Sequence, residues 1–184
     1  MSASVPEYRT LGSREIYRNR WLRLREDEIV RADGTPGRYS VLEKADFALV
    51  IPRHEDGSFT LVEQYRYPVG ARCLEFPQGA DETQPDLDPL ELGRKELAEE
   101  TGLRAGRVQL LGRLHHAYGY SSQGVAIVLA TGLTDGPAAR EVEEQGMAVV
   151  RHSGDEVRAM MRDGRIRDCV SLAAYALLLL QPEQ

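Results

Sequence analysis

The order of strand and helix patterns along the chain constrains its fold more than any other feature. In the first half, extended apolar segments alternate with short clusters that contain glycine, which is typical of strands joined by turns. The extended segments are residues 21–30, 38–52 and 59–67. A helix pattern follows, then strand patterns at residues 108–119, 124–133 and 147–152, and two further helix patterns. This order predicts an α/β (α+β) fold with a largely antiparallel or mixed sheet.

The first helix pattern has clear signals at both ends. Asp88 suits the N-cap, Pro89 suits the first helical position, and Glu91 stands where a capping-box acid belongs. Gly102 suits the left-handed position that follows a helix. The sequence therefore predicts a helix over residues 89–101.

Two later helices are predicted from their caps. Ser153 and Glu156 form a second capping box, and Asp168 caps a final helix that runs through Leu180. In the first helix, Gly93 lowers the stability of the helix by about 1 kcal/mol relative to alanine.

Composition narrows the class of protein. A chain of 184 residues with 42% apolar and 28% charged residues suits one domain with an ordinary core. The net charge of −6 argues against a general nucleic-acid or membrane-surface binder and leaves a local basic pocket open. The apolar run at residues 172–180 is far shorter than the roughly 20 residues of a membrane span, so it predicts a buried helix. Cys73 and Cys169 form no C-x-x-C pair, and the first ten residues lack the apolar run of a signal peptide, so we expect a cytoplasmic protein with reduced thiols.

Three glutamates crowd the end of the first helix. Glu96, Glu99 and Glu100 share one helix face, where like charges repel and the helix dipole disfavours anions. A hard divalent cation such as Mg²⁺ would compensate for this repulsion. A solvated acidic face explains the same residues, and charge alone favours that explanation.

The surrounding pattern changes this balance. KELAEETGL (residues 95–103) resembles the second half of the Nudix box, G-x5-E-x7-R-E-U-x-E-E-x-G-U, in which U is a bulky apolar residue. CLEFPQGADE (residues 73–82) resembles the glycine-bearing loop before the box helix. VEQYRYP (residues 62–68) and the C-terminal residues 160–180 resemble segments of the ADP-ribose/ADP-sugar pyrophosphatase-like branch. The chain is therefore similar to Nudix hydrolases of that branch.

The box is degenerate at two positions. The family arginine is Lys95, which keeps the charge but loses the bidentate guanidinium. The first box glutamate falls on Leu87 when counted back from the helix and on Pro85 when counted forward from Gly79, with Asp86 between them. In the family these two residues orient the loop and the metal-bearing helix, so their loss is expected to weaken metal binding.

The resemblance implies a Nudix-type α/β/α sandwich with a mixed sheet, preceded by a small N-terminal antiparallel strand segment. We expect the Nudix domain to cover residues 46–184. Residues 1–45 would form the strand segment, which reaches across a homodimer in relatives. The implied reaction is water attack on phosphorus in a nucleoside diphosphate linked to another moiety, most simply ADP-ribose or a related nucleotide sugar, with Mg²⁺ or Mn²⁺.

The resemblance also assigns residues to the metal and the substrate. Glu96 and Glu100 are the first metal ligands, Glu99 follows as a ligand and catalytic residue, and the backbone carbonyl of Gln78 adds a further ligand. Arg66 would hold a substrate phosphate, although a surface strand arginine is the commoner explanation of such a residue.

Other roles stay open. The acidic segment REVEEQG (residues 140–146) offers Glu143 and Glu144 as catalytic bases, and a solvated loop explains both equally well. Gln123 cannot serve as a base because it is an amide. Trp21 and Tyr17 are candidates to stack on the nucleobase. For Trp21, packing in the core or at a dimer interface is the alternative that we favour.

Three hypotheses follow. The chain is a Mg²⁺-dependent nucleotide-sugar pyrophosphatase, a catalytically weakened nucleotide-binding or regulatory module on the same fold, or a protein whose acids only end a helix. Lys95, the missing box glutamate and Gln123 motivate the second hypothesis. The sugar and the nucleobase are not identified by the sequence.

Overall fold

The computed structural model describes residues 7–136 and 146–182. The chain divides into two compact units. One comprises the residues up to Ala45 together with His115–Gly124, and the other comprises Asp46–Leu114 and the residues from Val125 onward.

The N-terminal unit is built on a three-stranded antiparallel sheet. Its strands are β1 (Tyr8–Arg18), β2 (Arg23–Arg31) and β3 (Pro36–Glu43), in that order across the sheet. The tight turn between β2 and β3 contains Gly34 at φ 86°, a backbone conformation that glycine adopts without strain. Every residue of β1 is exposed.

The larger unit carries the remaining elements. Its strands and helices are β4 (Phe47–Pro52), β5 (Phe59–Arg66), β6 (Ala71–Glu75), β7 (Gln78–Gly79), α1 (Pro89–Glu96), β8 (Leu103–His115), β9 (Gly124–Asp135), β10 (Ala148–His152), α2 (Gly154–Arg162) and α3 (Cys169–Leu179). The sheets have the orders β10-β5-β6 and β7-β4-β9-β8.

The second of these sheets is mixed, because β4 pairs parallel with β9 and antiparallel with β7. Strand β4 is the buried centre of the unit, which explains its nearly continuous apolar sequence FALVIP. The mixed α+β architecture predicted from the order of elements is confirmed. The segment that the resemblance assigned to a loop, residues 73–82, contains the end of β6 and all of β7.

The first helix begins where the sequence predicts. The Asp88 side chain accepts hydrogen bonds from the backbone nitrogens of Leu90 and Glu91. Gly93 lies against the sheet, and a Cβ added there would come within 3.3 Å of Val128, so the glycine permits close packing of α1 on β9.

The end of this helix differs from the prediction. Residues Leu97–Thr101 form a π-helical turn rather than a continuation of the α-helix, and Gly102 ends it at φ 78°. Wide turns of this kind occur often at functional sites. Charge and capping patterns carry no signal for the wider turn, so the sequence predicted a uniform α-helix.

Helices α2 and α3 complete the core. The capping box between Ser153 and Glu156 is present in both directions, as predicted. Tyr175 of α3 packs edge-on against Phe59, with ring centroids 5.7 Å apart. The prediction of a buried final helix is only partly confirmed, because Leu172 and Leu179 within the helix are exposed, as is Leu180 after it. Within the described residues, no helix has both the length and the apolarity that crossing a bilayer requires.

Candidate active site

The three glutamates of the acidic helix differ in burial. Glu96 is 6% exposed and Glu100 is 2% exposed, whereas about 29% of the Glu99 side chain is exposed. A solvated acidic face is therefore the wrong explanation for Glu96 and Glu100. Burying a carboxylate costs free energy unless hydrogen bonds or cations compensate.

Both buried carboxylates face strand β7. The backbone nitrogen of Gln78 donates a hydrogen bond to Oε2 of Glu100 at 3.3 Å. A Cβ added at Gly79 would lie 2.2 Å from Oε2 of Glu96. The next strand residue is thus a glycine because a carboxylate occupies the space of a side chain.

The first turn of α3 holds the same segment from another direction. The side-chain amide of Gln78 donates to Oδ2 of Asp168 at 3.2 Å, and the backbone nitrogen of Phe76 donates to the hydroxyl of Ser171 at 3.0 Å. Asp168 is also the N-cap of α3, so one carboxylate both caps the start of a helix and holds Gln78 of the candidate site.

A partly buried ion pair lies beside this segment. Arg66, at the end of β5, donates to both carboxylate oxygens of Glu75, and Gln64 donates to one of them at 2.9 Å. Burial raises the pKa of the Glu75 carboxyl, and the Arg66 hydrogen bonds oppose that shift. Burial alone would lower the pKa of Arg66, but hydrogen bonding to Glu75 and the negative charges of Glu75, Glu100 and Asp168 raise it. Arg66 is therefore a charged guanidinium among the site carboxylates.

A second ion pair joins the glycine-bearing loop to the helix. Nζ of Lys95 lies 2.7 Å from Oδ2 of Asp81 and 3.9 Å from Oε2 of Glu99. The hydrogen bond to Asp81 raises the pKa of Lys95, and the bonds from Lys95 and Thr83 hold the pKa of Asp81 well below its usual range. Both partners are charged near neutral pH.

The donor chemistry of this region fits a divalent ion. Carboxylate and carbonyl oxygens are the ligands of Mg²⁺ and Mn²⁺, and two buried carboxylates reach the Gln78–Gly79 strand. Among the residues that the structure describes, no group of three or more His, Cys, Asp or Glu side chains is already arranged around one point. Glu96, Glu100 and the Gln78 carbonyl thus suit a divalent ion by the type of their donor atoms and by the burial of the two carboxylates.

The aromatic candidates for substrate stacking lie in the N-terminal unit. Trp21 is 47% exposed and Tyr17 is 55% exposed, so neither is a core residue of the described chain. The guanidinium of Arg20 lies 4.1 Å from the centre of the Trp21 ring. Gln123 is buried and donates to the carbonyl of Ala45 at 2.7 Å, a structural role. Glu143 and Glu144 lie outside the described residues.

Sequence reasoning assigned no role in the site to Glu75, Asp168 or Asp81. A signal for Glu75 was present, because Gln64 and Arg66 alternate onto one face of β5 and Glu75 stands on the same face of the adjacent strand. Asp168 was recognised only as a cap. Its second contact, with the side chain of Gln78, joins residues distant in sequence and has no local pattern.

Known proteins are similar to this chain over most of its length. Residues 8–42 match the family model for the nucleoside diphosphate sugar hydrolase N-terminal domain. An ADP-ribose pyrophosphatase of Mycobacterium tuberculosis (strain ATCC 25618 / H37Rv) is 28% identical over 91% of this chain and 81% of the relative. A methanol dehydrogenase activator of Bacillus methanolicus is 24% identical over 95% of this chain and 94% of the relative.

A solved structure shares the fold. The crystal structure of an ADP compounds hydrolase superposes with a TM-score of 0.83 at 21% identity, covering 97% of this chain and 95% of that chain. The fold, the acidic helix and these likenesses are together consistent with a Nudix hydrolase. Within that class the comparisons support the ADP-ribose pyrophosphatase-like branch, as the sequence resemblance predicts.

Proposed function

We propose that this protein hydrolyses the pyrophosphate bond of ADP-ribose or a related nucleotide sugar, with Mg²⁺ or Mn²⁺ as cofactor. The observation that carries the proposal is the burial of Glu96 and Glu100 against the Gln78–Gly79 strand. Two buried carboxylates that reach the same strand repel each other, and a divalent cation bound between them would offset that repulsion. The names of the relatives favour a nucleoside diphosphate sugar as substrate.

The proposed metal ligands are the carboxylates of Glu96, Glu100 and Glu99 and the backbone carbonyl of Gln78. A bound divalent ion supplies neutralisation of the diphosphate and lowers the pKa of water. The protein contributes a fixed segment: Gln78 is held through its backbone by Glu100 and through its side chain by Asp168. Such fixed positions lower the cost of reorganisation during phosphoryl chemistry.

Arg66 is the proposed phosphate-binding residue. Its guanidinium is oriented by Glu75 through Nε and Nη2. About 40% of its side chain is exposed, so a substrate phosphate can reach it. Orientation by a buried carboxylate suits a guanidinium, which binds phosphate through a planar fork.

The catalytic base is proposed among Glu99, Glu143 and Glu144. Glu99 is the most exposed of the three helix acids. Replacing each candidate by glutamine and recording the pH dependence of kcat identifies the base. The base is the residue whose replacement alone removes the fall of kcat at low pH.

The N-terminal segment of residues 1–45 is proposed as a dimerisation arm. Strand β1 is exposed along its length, and Trp21 and Tyr17 would stack on the nucleobase. Sedimentation of the full chain and of Trp21→Ala, with ADP binding measured on both, tests the two roles separately. The cytoplasm is the proposed location, consistent with the free thiols of Cys73 and Cys169.

The decisive experiment is incubation with ADP-ribose, other ADP-sugars and GDP-sugars in Mg²⁺ or Mn²⁺. Chromatography should show AMP and ribose 5-phosphate from ADP-ribose, because water adds across the P–O–P bond and splits it into two phosphomonoesters. Reaction in ¹⁸O-labelled water identifies the attacked phosphorus. Absence of product from every substrate with either metal would reject the proposal.

A regulatory nucleotide-binding role is the second candidate. It is favoured by the likeness to a methanol dehydrogenase activator, which spans nearly the whole chain. This role predicts saturable calorimetric binding of ADP-ribose without turnover. Turnover that disappears in Glu100→Gln would exclude it.

A further inference from the structure

We propose that Asp81 and Lys95 are positioning residues whose ion pair holds the glycine-bearing loop against the acidic helix. The proposal rests on the proposed function, because it concerns the carboxylates assigned there to the metal. It gives Lys95, which replaces the arginine of the box, a defined partner in this chain.

The loop and the helix meet through a series of contacts. In order along the loop, they join Gln78 to Glu100, Gly79 to Glu96, and Asp81 to Lys95. The first is a long hydrogen bond of 3.3 Å, and the second is a steric contact. The third is an ionic hydrogen bond of 2.7 Å, a stronger kind of interaction than the other two. The ion pair is thus the firmest of these attachments.

Asp81 is fixed independently of Lys95. Its Oδ1 accepts from the backbone nitrogen of Thr83 at 2.9 Å, the hydroxyl of Thr83 at 2.5 Å and the backbone nitrogen of Gln84 at 3.1 Å. Its Oδ2 accepts from the side chain of Gln84 at 3.2 Å. The residue is 7% exposed. Lys95 therefore docks on an anion that the loop has already oriented, which reduces the entropy cost of the pair.

Lys95 transmits this attachment to the metal-binding face. It precedes Glu96 on the helix, so fixing its ammonium group fixes the rotation of the helix at the first acid. Its Nζ also lies 3.9 Å from Glu99 and partly offsets the repulsion among the acids. Losing either partner should let the loop and helix separate and spread the carboxylates.

The alternative is a surface ion pair that contributes only to stability. Such pairs are worth little, and the chain offers a matched example on the same helix. Arg94 and Glu91 lie 3.7 Å apart, Glu91 is far more exposed than Asp81, and Glu91 has no role in the proposed site. Glu91→Gln is therefore the control for loss of a helix ion pair.

The test compares Asp81→Asn, Lys95→Met, the double variant, Lys95→Arg and Glu91→Gln. Mn²⁺ affinity is measured without substrate by electron paramagnetic resonance, and the Mn²⁺ concentration for half-maximal hydrolysis and the Tm are measured beside it. Each single loss variant should weaken Mn²⁺ binding about tenfold, in the range typical of residues that orient metal ligands. The double variant should be no worse than the poorer single variant, because the two residues act as one unit. Lys95→Arg, which keeps the positive charge, should bind Mn²⁺ as tightly as wild type. Glu91→Gln should also have the Mn²⁺ affinity of wild type.

Mn²⁺ affinity unchanged in both single variants would overturn the proposal, as would a loss in the double variant equal to the product of the single losses. If Asp81→Asn does not fold, Lys95→Met decides alone, because Lys95 is not part of the Asp81 turn. Wild-type protein that binds Mn²⁺ but hydrolyses no nucleotide sugar contradicts the proposed function without touching this inference. Active variants with normal Mn²⁺ affinity contradict the inference and leave the function standing.

Discussion

The backbone nitrogen of Gln78 lies 3.3 Å from Oε2 of Glu100, so the shortest strand of the larger unit is bonded to a buried carboxylate. Glu100 is 2% exposed and lies in the same turn as Glu99. A charge in this position destabilises a fold unless a cation or hydrogen bonds compensate. Removing the charge of Glu100 therefore tests whether this residue serves binding or stability.

Replacing Glu100 by glutamine should separate these two effects. Glutamine keeps the shape of the side chain and removes the charge, so Mn²⁺ affinity and kcat/KM should fall about 100-fold or more. The Tm should change little, because glutamine can still accept the hydrogen bond from Gln78, and the loss of repulsion from the other acids offsets the loss of attraction to Arg66. Calorimetry, hydrolysis rates and thermal unfolding measure the three quantities, with Glu91→Gln as the control. Wild-type hydrolysis by Glu100→Gln would contradict the assignment.

Replacing Gly79 by alanine tests the close approach of Glu96. The new methyl group would lie 2.2 Å from Oε2 of Glu96, which must move. Because that atom ends a flexible side chain, stability should fall by only about 1 kcal/mol or less, whereas Mn²⁺ affinity should fall about tenfold. Gly119→Ala is the control, since nothing lies within 4 Å of the Cβ there. Equal effects of the two substitutions on affinity would show that Glu96 needs no space at Gly79.

Much of the fold could be predicted because its signals are local. Caps at Asp88, Ser153 and Asp168 set the helix starts, and apolar runs set β4 and β9. The two-residue strand β7 could not be predicted, because its pairing depends on β4 across the sheet. The π-helical turn could not be predicted either, since both helix types use the same cap at Gly102.

Candidate site residues could be named from the sequence where they belong to a motif or, like Gln78 and Arg66, to a segment that resembles the family. Glu96, Glu99 and Glu100 form a motif, so spacing alone draws attention to them. Asp81 has no fixed spacing from Lys95, and its role as the partner of that lysine depends on the path of the loop between them. A contact between a helix and a residue of an irregular loop leaves no periodic pattern in the sequence. The sequence therefore indicated that Lys95 had lost its acidic partner, whereas in the structure Lys95 pairs with Asp81.

Replacing Arg66 by lysine tests its proposed contact with phosphate. Lysine keeps the charge but cannot donate to both oxygens of Glu75 and to substrate in one planar arrangement. KM for ADP-ribose should rise about tenfold, with a smaller change in kcat, since one charge-assisted hydrogen bond is worth about 1.5–3 kcal/mol. Arg72→Lys is the control, because Arg72 pairs with Glu63 on the opposite face of the same hairpin. A KM equal to that of wild type would exclude Arg66 from phosphate binding.

The lowered pKa of Asp81 predicts a specific dependence of stability on pH. Hydrogen bonds from Lys95 and Thr83 depress the pKa in the folded state below the ordinary value of 3.8. The carboxylate therefore stabilises the fold above about pH 4, and this contribution is lost as the pH falls further, because the unfolded chain takes up the proton first. The difference in Tm between wild type and Asp81→Asn should be constant from about pH 5 to 8 and shrink below about pH 4. The same difference can be measured between Lys95→Met and the double variant. There it should shrink less below about pH 4, since only the bonds from Thr83 remain to depress the pKa of Asp81. A Tm difference that does not change with pH would show that Asp81 has no depressed pKa in the folded protein.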